Sequence, residues 1–444
     1  MSGFVNISTL FSGSEERTVE RLSGIYKDME KLVHVIEKSI EGRLDRDLIK
    51  DKRVLLKPNW VKHSRNESDE ICLRTHDNFI LATIRILLEM GPASIFIADA
   101  PIQGCCWDRM ISAKFLKEIS SLSGEYKIPV QLKDFRRRTY SFTENKTETG
   151  IRPLSDYNIV DLGEKSLLEA ITLPGPSQFR VTDYDPDRMA TAHAPGVHKY
   201  CIAKDYFDAD VVISLPKLKT HQKTGITGAL KNLVGINGDK DFLPHHRIGG
   251  TKMGGDCYPG RSFLRYRAEL LLDAANRRQG KKSFWLWQKF SALLWRSSLP
   301  GPEHQVAAGW YGNDTTWRMV MDLNRIAQYC DASGNMSDTP QRQLFSLCDG
   351  IIGGQGDGPL EPDPLPLGIV SFTNNSLLND RVIAKLMGFP LDKMPLLNHH
   401  PEDQDTEIVF NGELMSLVDL KQYAINTVPP RGWIRFFEKS DPSE

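Results

Sequence analysis

Residues 209–221 read ADVVISLPKLKTH, an apolar run that ends in a proline and a cationic segment. A run of apolar, mostly β-branched residues is typical of a strand buried on both faces, as in parallel sheets. In open parallel α/β sheets, ligands bind beyond the carboxyl ends of the strands. This stretch therefore predicts an α/β fold, with a functional site at the segment that carries Lys217, Lys219 and His221.

Two further predicted strands end in polar residues. Residues 53–57 form a β-like run, and residues 94–98 form a second. The residues between them have the spacing of an amphipathic helix, so the three segments predict a βαβ unit with parallel strands. A later strand is predicted at residues 368–372. We expect the polar residues at these strand ends to face one cleft and to bind a ligand: Lys57, Asn59, Asp99, Lys217, Thr220 and Asn374.

The segment after His221 is predicted to form a helix from about Thr224 to Val234. Its free N–H groups would begin directly after the histidine, where they favour an anion. Lys231 would share a helix face with two threonines, because residues three and four apart are neighbours. Lysine and histidine suit a carboxylate or phosphate. The candidate catalytic residues are Lys231, His221 and Lys219, and further ligand-binding candidates are Thr224, Thr227 and Asn232.

Histidines offer a second chemistry, because imidazole both carries protons near neutral pH and binds metals. His221, His245 and His246 are the candidate ligands of a divalent metal. The seven cysteines include no Cys-x-x-Cys pair. The ligand spacing of ferredoxin-type clusters is therefore missing, and no iron–sulfur cluster is expected. The identity of any cofactor stays open.

The pattern of elements predicts mainly parallel sheets with flanking helices, arranged in two lobes with a cleft, and β-rich and helical insertions. A helical lead-in is expected over residues 1–50, followed by an α/β lobe over 51–276 with a β-rich insertion at about 129–185. A Trp-rich amphipathic insertion follows at 277–299, and a second α/β lobe at 300–444. That last lobe is expected to contain a strand ending at Asp349-Gly350 and then a glycine-rich loop.

The Trp-rich insertion at 277–299 combines three tryptophans with basic residues. Such a stretch can pack on the protein as core or lid, or it can lie in a membrane interface. Periodicity alone does not choose between the two, so peripheral membrane contact stays open.

Composition excludes several classes of protein. The 444 residues carry 56 basic and 57 acidic side chains, so the surplus of positive charge typical of a nucleic-acid binder is missing. No apolar run reaches the roughly 18 residues that a membrane span needs. The odd, scattered cysteines and the lack of a signal-peptide pattern predict a reduced, cytoplasmic protein.

Three segments resemble the uncharacterised domain-of-unknown-function 362 family: Lys57-Pro58-Asn59, the run from Ala209 to His221, and the run from Thr227 to Gly235. A distal segment from Asp349 to Pro359, with Leu386-Met387-Gly388, is similar to the family's C-terminal half. Some family members carry a ferredoxin module, but the cysteines of that module are missing here.

A more distant similarity is to the nickel-pincer lactate racemases, which have a histidine, a lysine and a later histidine in the order of His221, Lys231 and His245. In those enzymes the lysine anchors the cofactor, and the histidines serve the metal and proton transfer. Asp99-Ala100-Pro101 stands where a Gly-x-His is expected, which argues against the same cofactor.

Three functions therefore remain. The first is an enzyme of isomerase or oxidoreductase type that acts on a small anionic metabolite in a Lys/His-lined cleft. The second is a metal-free enzyme on a phosphorylated or nucleotide-sugar substrate in surface-polysaccharide biosynthesis. The third is a non-catalytic ligand-binding or membrane-docked protein. The oligomeric state stays open.

Overall fold

The structure is a computed structural model that describes residues 3–11, 17–141, 146–298, 307–399 and 406–438. Its helices are α1 (Val19–Lys27), α2 (Met29–Ile40), α3 (Arg46–Ile49), α4 (Glu67–Cys72), α5 (Asp77–Met90), α6 (Trp107–Met110), α7 (Ala113–Tyr126), α8 (Pro186–Ala192), α9 (Lys204–Phe207), α10 (Ala229–Asn232), α11 (Phe263–Asn276), α12 (Phe284–Ser297), α13 (Thr316–Tyr329), α14 (Ser376–Leu386), α15 (Pro395–Asn398) and α16 (Ile434–Glu438).

The strands are β1 (Gly3–Thr9), β2 (Arg53–Pro58), β3 (Ser94–Asp99), β4 (Val130–Asp134), β5 (Arg138–Ser141), β6 (Thr147–Ile151), β7 (Tyr157–Asp161), β8 (Phe179–Arg180), β9 (His193–Ala194), β10 (Val197–Ala203), β11 (Val211–Leu215), β12 (Lys217–His221), β13 (Gly225–Thr227), β14 (His246–Arg247), β15 (Gln343–Asp357), β16 (Glu361–Leu365), β17 (Ile369–Thr373), β18 (Thr406–Phe410) and β19 (Glu413–Leu414).

A central sheet of twelve strands runs through the described part of the chain in the order β19-β18-β1-β17-β15-β11-β2-β3-β4, with β12 and β16 joined to β15 and β13 to β12. The pairs β15–β11, β11–β2, β2–β3 and β3–β4 are parallel. Helices flank the sheet, and each face has its own apolar core. The predicted α/β class with a mainly parallel sheet is confirmed.

The predicted βαβ unit is present as β2, α5 and β3. Helix α5 begins after His76, whose side chain accepts from the backbone N–H of Asn78, and it ends at Gly91 with φ of 76°. A positive φ suits glycine at a helix end because no Cβ clashes there. This unit fixes the ends of β2 and β3 side by side at one edge of the sheet.

The helix predicted from Thr224 to Val234 is wrong. Residues 217–227 form a β-hairpin of β12 and β13, and the helix that follows, α10, spans only four residues. Gly225 turns the chain with φ of 84°, and β12 pairs with the distant strand β15. This long-range pairing overrides local helix propensity. Lys231 therefore does not share a helix face with Thr224 and Thr227, and no helix begins directly after His221.

The predicted glycine-rich loop after Asp349 is also wrong, because β15 continues through it to Asp357. A Cβ on Gly353 would lie 2.8 Å from the carbonyl oxygen of Leu218, and one on Gly354 would lie 2.8 Å from Cβ of Lys219. Glycine is needed here so that β12 can lie against β15 at close range.

The lead-in at residues 1–50 contains the predicted helices, but it begins with strand β1, which joins the central sheet. The β-rich insertion at 129–185 contains the edge strand β4, the β5–β6 hairpin, and β7 and β8, which pair outside the central sheet. Strands from both predicted lobes lie in one sheet. The domain boundaries themselves stay predictions.

The Trp-rich insertion forms helix α12, which packs in antiparallel fashion on α11; Ser291 Oγ donates to the carbonyl oxygen of Ala268 across 2.7 Å. Its apolar residues do not form a closed core, since Leu286, Phe290 and Leu293 are exposed. No helix among the described residues is long and apolar enough to cross a membrane.

Candidate functional site

The ends of β2 and β3 meet in a buried polar network. Lys57 Nζ donates to Asp99 Oδ1 across 2.8 Å, and Asp99 Oδ2 accepts from the backbone N–H of Trp60 at 2.7 Å. Asn232 joins the network, because its Nδ2 donates to the carbonyl oxygen of Lys57 at 3.0 Å and its Oδ1 accepts from Nδ2 of Asn59 at 3.1 Å. Four of the predicted site residues are thus brought together.

Gly235 packs directly against this network. A Cβ at this position would lie 1.8 Å from Asp99 Oδ1 and 2.6 Å from Lys57 Nζ. The Gly235 carbonyl oxygen accepts from the N–H of Ala100 at 3.0 Å. Glycine is therefore required for the α10 segment to lie on the ends of β2 and β3.

Burial lowers the pKa of Lys57, and the Asp99 carboxylate opposes that effect. The Lys57 ammonium group donates to the Asp99 carboxylate, to the carbonyl oxygen of Pro58 and to Asn232 Oδ1. All three of its N–H groups are therefore used within the protein. The network holds strands β2 and β3 and the α10 segment in place.

Lys217 forms a second buried network that faces away from the first. Its Nζ donates to Asp349 Oδ2 and to the Tyr26 hydroxyl, both at 2.9 Å, and that hydroxyl donates to Asp349 Oδ1. These contacts use two of the three N–H groups of Lys217 and both oxygens of Asp349 within the protein. Lys217 was predicted to bind ligand, but the structure assigns it to an ion pair between β12, β15 and α1.

Lys219 lies fully buried two residues further along β12. Its Nζ donates to the carbonyl oxygens of Leu73 and Pro359. Burial is the main reason that its pKa falls to about 7, and the charges of Lys217 and Lys231 lower it further. Its amine is held by backbone carbonyls, so Lys219 contributes a charge rather than a free reactive group.

His221 ends β12 and holds a neutral imidazole. Its Nδ1 accepts from the backbone N–H of Lys223 at 3.1 Å, which leaves the ring proton on Nε2. Burial, and then the charges of Lys231, His245 and Lys223, lower the pKa of His221 well below its usual value. At neutral pH the ring therefore presents an Nε2–H that can donate.

His245 has the opposite tautomer. Its Nδ1 lies 2.7 Å from the carbonyl oxygen of Leu243, and because a carbonyl can only accept, Nδ1 carries the proton. Burial, followed by the charges of Lys223 and Lys231, lowers the pKa of His245 well below its usual value. The lone pair on Nε2 is then available as a base.

Lys231 lies among other cations. Burial lowers its pKa to about 7, and the next causes are the charges of Lys240, Lys223 and Lys57. Among the residues that the structure describes, its ammonium group has no hydrogen-bond partner, and no carboxylate offsets its charge. Lys240 donates to the carbonyl oxygen of Ala100 at 2.8 Å, and burial lowers its pKa to about 8.

We name these residues the lysine–histidine cluster: Lys219, His221, Lys223, Lys231, Lys240 and His245. Thr227 belongs beside it, because it lies opposite Lys219 in the β12–β13 register and its buried Oγ1 has no hydrogen-bond partner in the described part of the chain. Thr220 and Thr224 do not point into it, since their hydroxyls donate to the carbonyl oxygens of Gly356 and Ile226.

Two predicted residues lie elsewhere. Strand β17 runs antiparallel to β15, so its end at Thr373 lies level with Ser346 rather than with Asp349. Asn374 is therefore displaced from the cluster toward the start of β15, and its side chain accepts from the N–H of Phe4.

The predicted metal set of His221, His245 and His246 does not form, because His246 points toward helix α11, where Nε2 lies 3.7 Å from Glu269 Oε1. Across the described ranges, these three histidines do not bring their ring nitrogens together as one ligand set. His245 directly precedes β14, and successive side chains along extended backbone point to opposite sides.

Sequence reasoning missed Lys223 and Lys240 as members of the cluster. Both stand in polar segments that read as solvated loops, and only the fold brings them next to Lys231. The sequence did carry a signal for a cationic cluster, because residues 217–240 contain more lysines than acidic residues.

A family model described as domain of unknown function (DUF362) matches residues 167–385. The search among curated proteins found no match. One solved structure, a Thermotoga maritima protein determined by a structural genomics consortium, is 12% identical with a TM-score of 0.32. The match covers 76% of this chain and 53% of that chain, so this chain spans about half the length of that protein. The similarity to lactate racemases is not supported by these matches.

Proposed function

We propose that this chain, which belongs to the domain-of-unknown-function 362 family over the matched segment, is an enzyme that binds a small anionic metabolite in the lysine–histidine cluster. The single observation that carries the proposal is the charge imbalance at Lys231. The charges of three other lysines, Lys240, Lys223 and Lys57, lower the pKa of Lys231, and no carboxylate of the described residues offsets its charge. A carboxylate or phosphate group would supply the missing negative charge.

The two histidines supply the chemistry. His245 Nε2 has a free lone pair, whereas His221 Nε2 carries a proton. A base and a donor beside an anion-binding lysine suit proton transfer at a carbon next to the bound carboxylate, because the lysines would stabilise the negative charge that develops. We therefore favour an isomerase-type reaction: His245 removes the proton, and a proton is returned to the same carbon or its neighbour.

Anion binding can be tested before a substrate is known. Calorimetric titration with inorganic phosphate and with small hydroxycarboxylates should show binding in the wild type and a loss of at least about tenfold in Lys231→Met, since a charge-assisted contact contributes roughly 1.5–3 kcal/mol. Lys252→Met is the matched control, because Lys252 is exposed and has the same formal charge. Equal affinity in both variants would refute the proposal.

Catalysis needs a separate measurement. Candidate hydroxy acids and phosphorylated sugars are incubated with the protein in D2O, and nuclear magnetic resonance follows the loss of carbon-bound protons. We expect exchange in the wild type and its loss in His245→Gln. Lys231→Arg separates two roles: it retains much of the activity if Lys231 only neutralises the anion, and it fails if Lys231 acts as a free amine, since guanidinium stays protonated.

A second candidate function is docking at an anionic membrane surface through α11 and α12. Leu286, Phe290 and Leu293 of α12 expose more than half of their surface, and Phe263 of α11 exposes 67%. The acidic residues of segment 261–298, Glu269 and Asp273, are buried, and its exposed charges are all basic: Arg261, Arg267, Arg277, Lys281, Lys282, Lys289 and Arg296. An apolar face among basic side chains is what an interfacial helix uses on anionic lipid.

A further inference from the structure

Beyond the lysine–histidine cluster, the fold brings together His246, Cys257 and Glu269. One nitrogen, the sulfur and one oxygen of these side chains all lie within 4.8 Å of one another. The residues are 3%, 2% and 6% exposed, respectively. They come from strand β14, the following loop and helix α11. Three different metal-binding side chains thus converge in a buried place that no part of the proposed function uses.

Two atoms of this group have no hydrogen-bond partner among the described residues: His246 Nδ1 and Glu269 Oε1. His246 Nε2 and Glu269 Oε1 are 3.7 Å apart, too far for a hydrogen bond. Buried polar atoms without a partner are costly and rare in folded proteins. A cation placed between Nε2 and Oε1 would satisfy this carboxylate oxygen and would bind the imidazole through Nε2.

We propose that His246, Cys257 and Glu269 bind a divalent transition metal of the zinc type. Zinc accepts imidazole nitrogen, thiolate sulfur and carboxylate oxygen, whereas calcium and magnesium select oxygen ligands. Two ligand atoms at about 2.1 Å from a tetrahedral zinc ion are about 3.4 Å apart. The observed 3.7 Å between nitrogen and oxygen needs only a small movement to reach that distance.

The surrounding structure holds the ligands in place. The second carboxylate oxygen of Glu269 accepts from the N–H of Gly249 at 2.9 Å. Backbone hydrogen bonds fix Cys257 on both sides. The Cys257 N–H donates to the carbonyl oxygen of Gly249, and the Cys257 carbonyl oxygen accepts from the N–H of Ala308. Such preorganisation is characteristic of metal sites, because orienting contacts hold the ligands.

A cavity of about 590 Å³ lies above this site, and His246 and Glu269 are among the residues that line it. Other walls come from α11 and α12, including Ala268, Ser291 and Trp295, and from residues 180–183. Three protein ligands leave a fourth tetrahedral position, which is the arrangement of catalytic rather than structural zinc sites. We infer that this position opens to the cavity and takes water or a small ligand.

The test uses the full-length protein, freed of metal with a chelator and then titrated with zinc. Elemental mass spectrometry should find one zinc per chain in the wild type. Cys257→Ser and Glu269→Gln should each weaken binding by at least about 100-fold, the upper range for loss of even an orienting contact. Cys106→Ser is the matched control, because this cysteine is free and exposed, and it should bind zinc as the wild type does.

Cobalt gives an independent readout, since a thiolate ligand produces a ligand-to-metal absorption band that Cys257→Ser must abolish. Glu269→Gln keeps an oxygen for the Gly249 N–H, so it serves as the deciding variant if Cys257→Ser does not fold. Zinc binding of equal strength in wild type and Glu269→Gln, or no zinc bound by the wild type, would overturn the site.

Discussion

Lys57 and Asp99 form a buried ion pair whose side chains are 1% and 5% exposed, with 2.8 Å between Nζ and Oδ1. The two residues end neighbouring parallel strands, β2 and β3. The carboxylate also accepts from the N–H groups of Trp60 and Ala100. One carboxylate therefore fixes the ends of both strands, and it keeps a lysine charged in the interior next to the lysine–histidine cluster.

Breaking this pair should destabilise the fold strongly. Asp99→Asn is nearly isosteric but leaves the Lys57 charge buried without its counterion, which costs about 3–5 kcal/mol in comparable pairs. Urea unfolding followed by circular dichroism measures the free energy. The double variant Lys57→Met/Asp99→Leu should lose less than Asp99→Asn alone, because no charge remains unpaired. A wild-type unfolding midpoint in Asp99→Asn would contradict the role we assign to the pair.

Stability should rise with pH above neutrality because of the buried Lys219 and the half-buried Lys231. The pKa values of Lys219 and Lys231 are about 7 in the folded chain, below the lysine value of 10.5. Between those limits the unfolded chain binds more protons than the folded one, so the free energy of unfolding increases with pH. The slope is at most about 1.4 kcal/mol per pH unit for each lysine, and less for the half-buried Lys231.

The variant Lys231→Met measures how much Lys231 alone contributes to the pH dependence of stability. At pH 7 and below, the variant should be more stable than the wild type by about 1–3 kcal/mol, since it removes a desolvated charge without a counterion. At pH 9.5 the difference should shrink, because the wild-type amine is then neutral. Chemical denaturation at pH 6, 7, 8 and 9.5 makes the comparison, and a lower stability of the variant at pH 6 would show that Lys231 has a counterion.

Anion affinity should fall as the pH rises, whereas the free energy of unfolding should increase. The free protein needs a protonated Lys231 to attract an anion, so affinity should be highest below pH 7 and fall as the pH rises through about 7. Binding should also take up protons, because a bound anion raises the lysine pKa. Titration calorimetry in two buffers of different ionisation enthalpy measures this uptake, and it should vanish at pH 5.5, where the lysine is already charged.

The local pattern of apolar residues was sufficient to predict the strands and the helix of the βαβ unit. Strands β2, β3 and β11 are continuous apolar runs, and α5 has regular helical spacing with a glycine at its end. The grouping of Lys57, Asn59 and Asp99 followed from these strands and the rule that ligands bind at carboxyl ends. This part of the site was predictable because it depends on neighbouring elements.

The hairpin β12–β13 was not predictable in the same way. Its conformation depends on pairing with β15, more than 120 residues away, which no local periodicity encodes. The direction of β17 is likewise a property of the whole sheet, and it displaced Asn374 from the predicted cleft. The ligands of the proposed zinc-type site, His246, Cys257 and Glu269, come from a strand, a loop and a helix. Their spacing in the sequence therefore matched no ligand motif.

The exposed apolar face of α12 leads to the last prediction. Leu286, Phe290 and Leu293 are 56%, 51% and 60% exposed, and they lie at helical spacing on one side of a helix without acidic residues. Burial of such side chains in a lipid interface contributes roughly 1.5–3 kcal/mol each when complete. The wild-type chain should therefore float with vesicles that contain phosphatidylglycerol, and high salt should weaken its binding.

Leu286→Glu/Phe290→Glu should abolish this flotation while changing the melting temperature little, because both side chains already face solvent. The matched control is Leu414→Glu/Val418→Glu, which alters two apolar residues that are 74% and 79% exposed on another part of the surface. It adds the same negative charge, so a loss of binding through net charge alone would affect both variants equally. Binding that persists in Leu286→Glu/Phe290→Glu, or that both variants lose to the same extent, would show that α12 is not the membrane-contacting face.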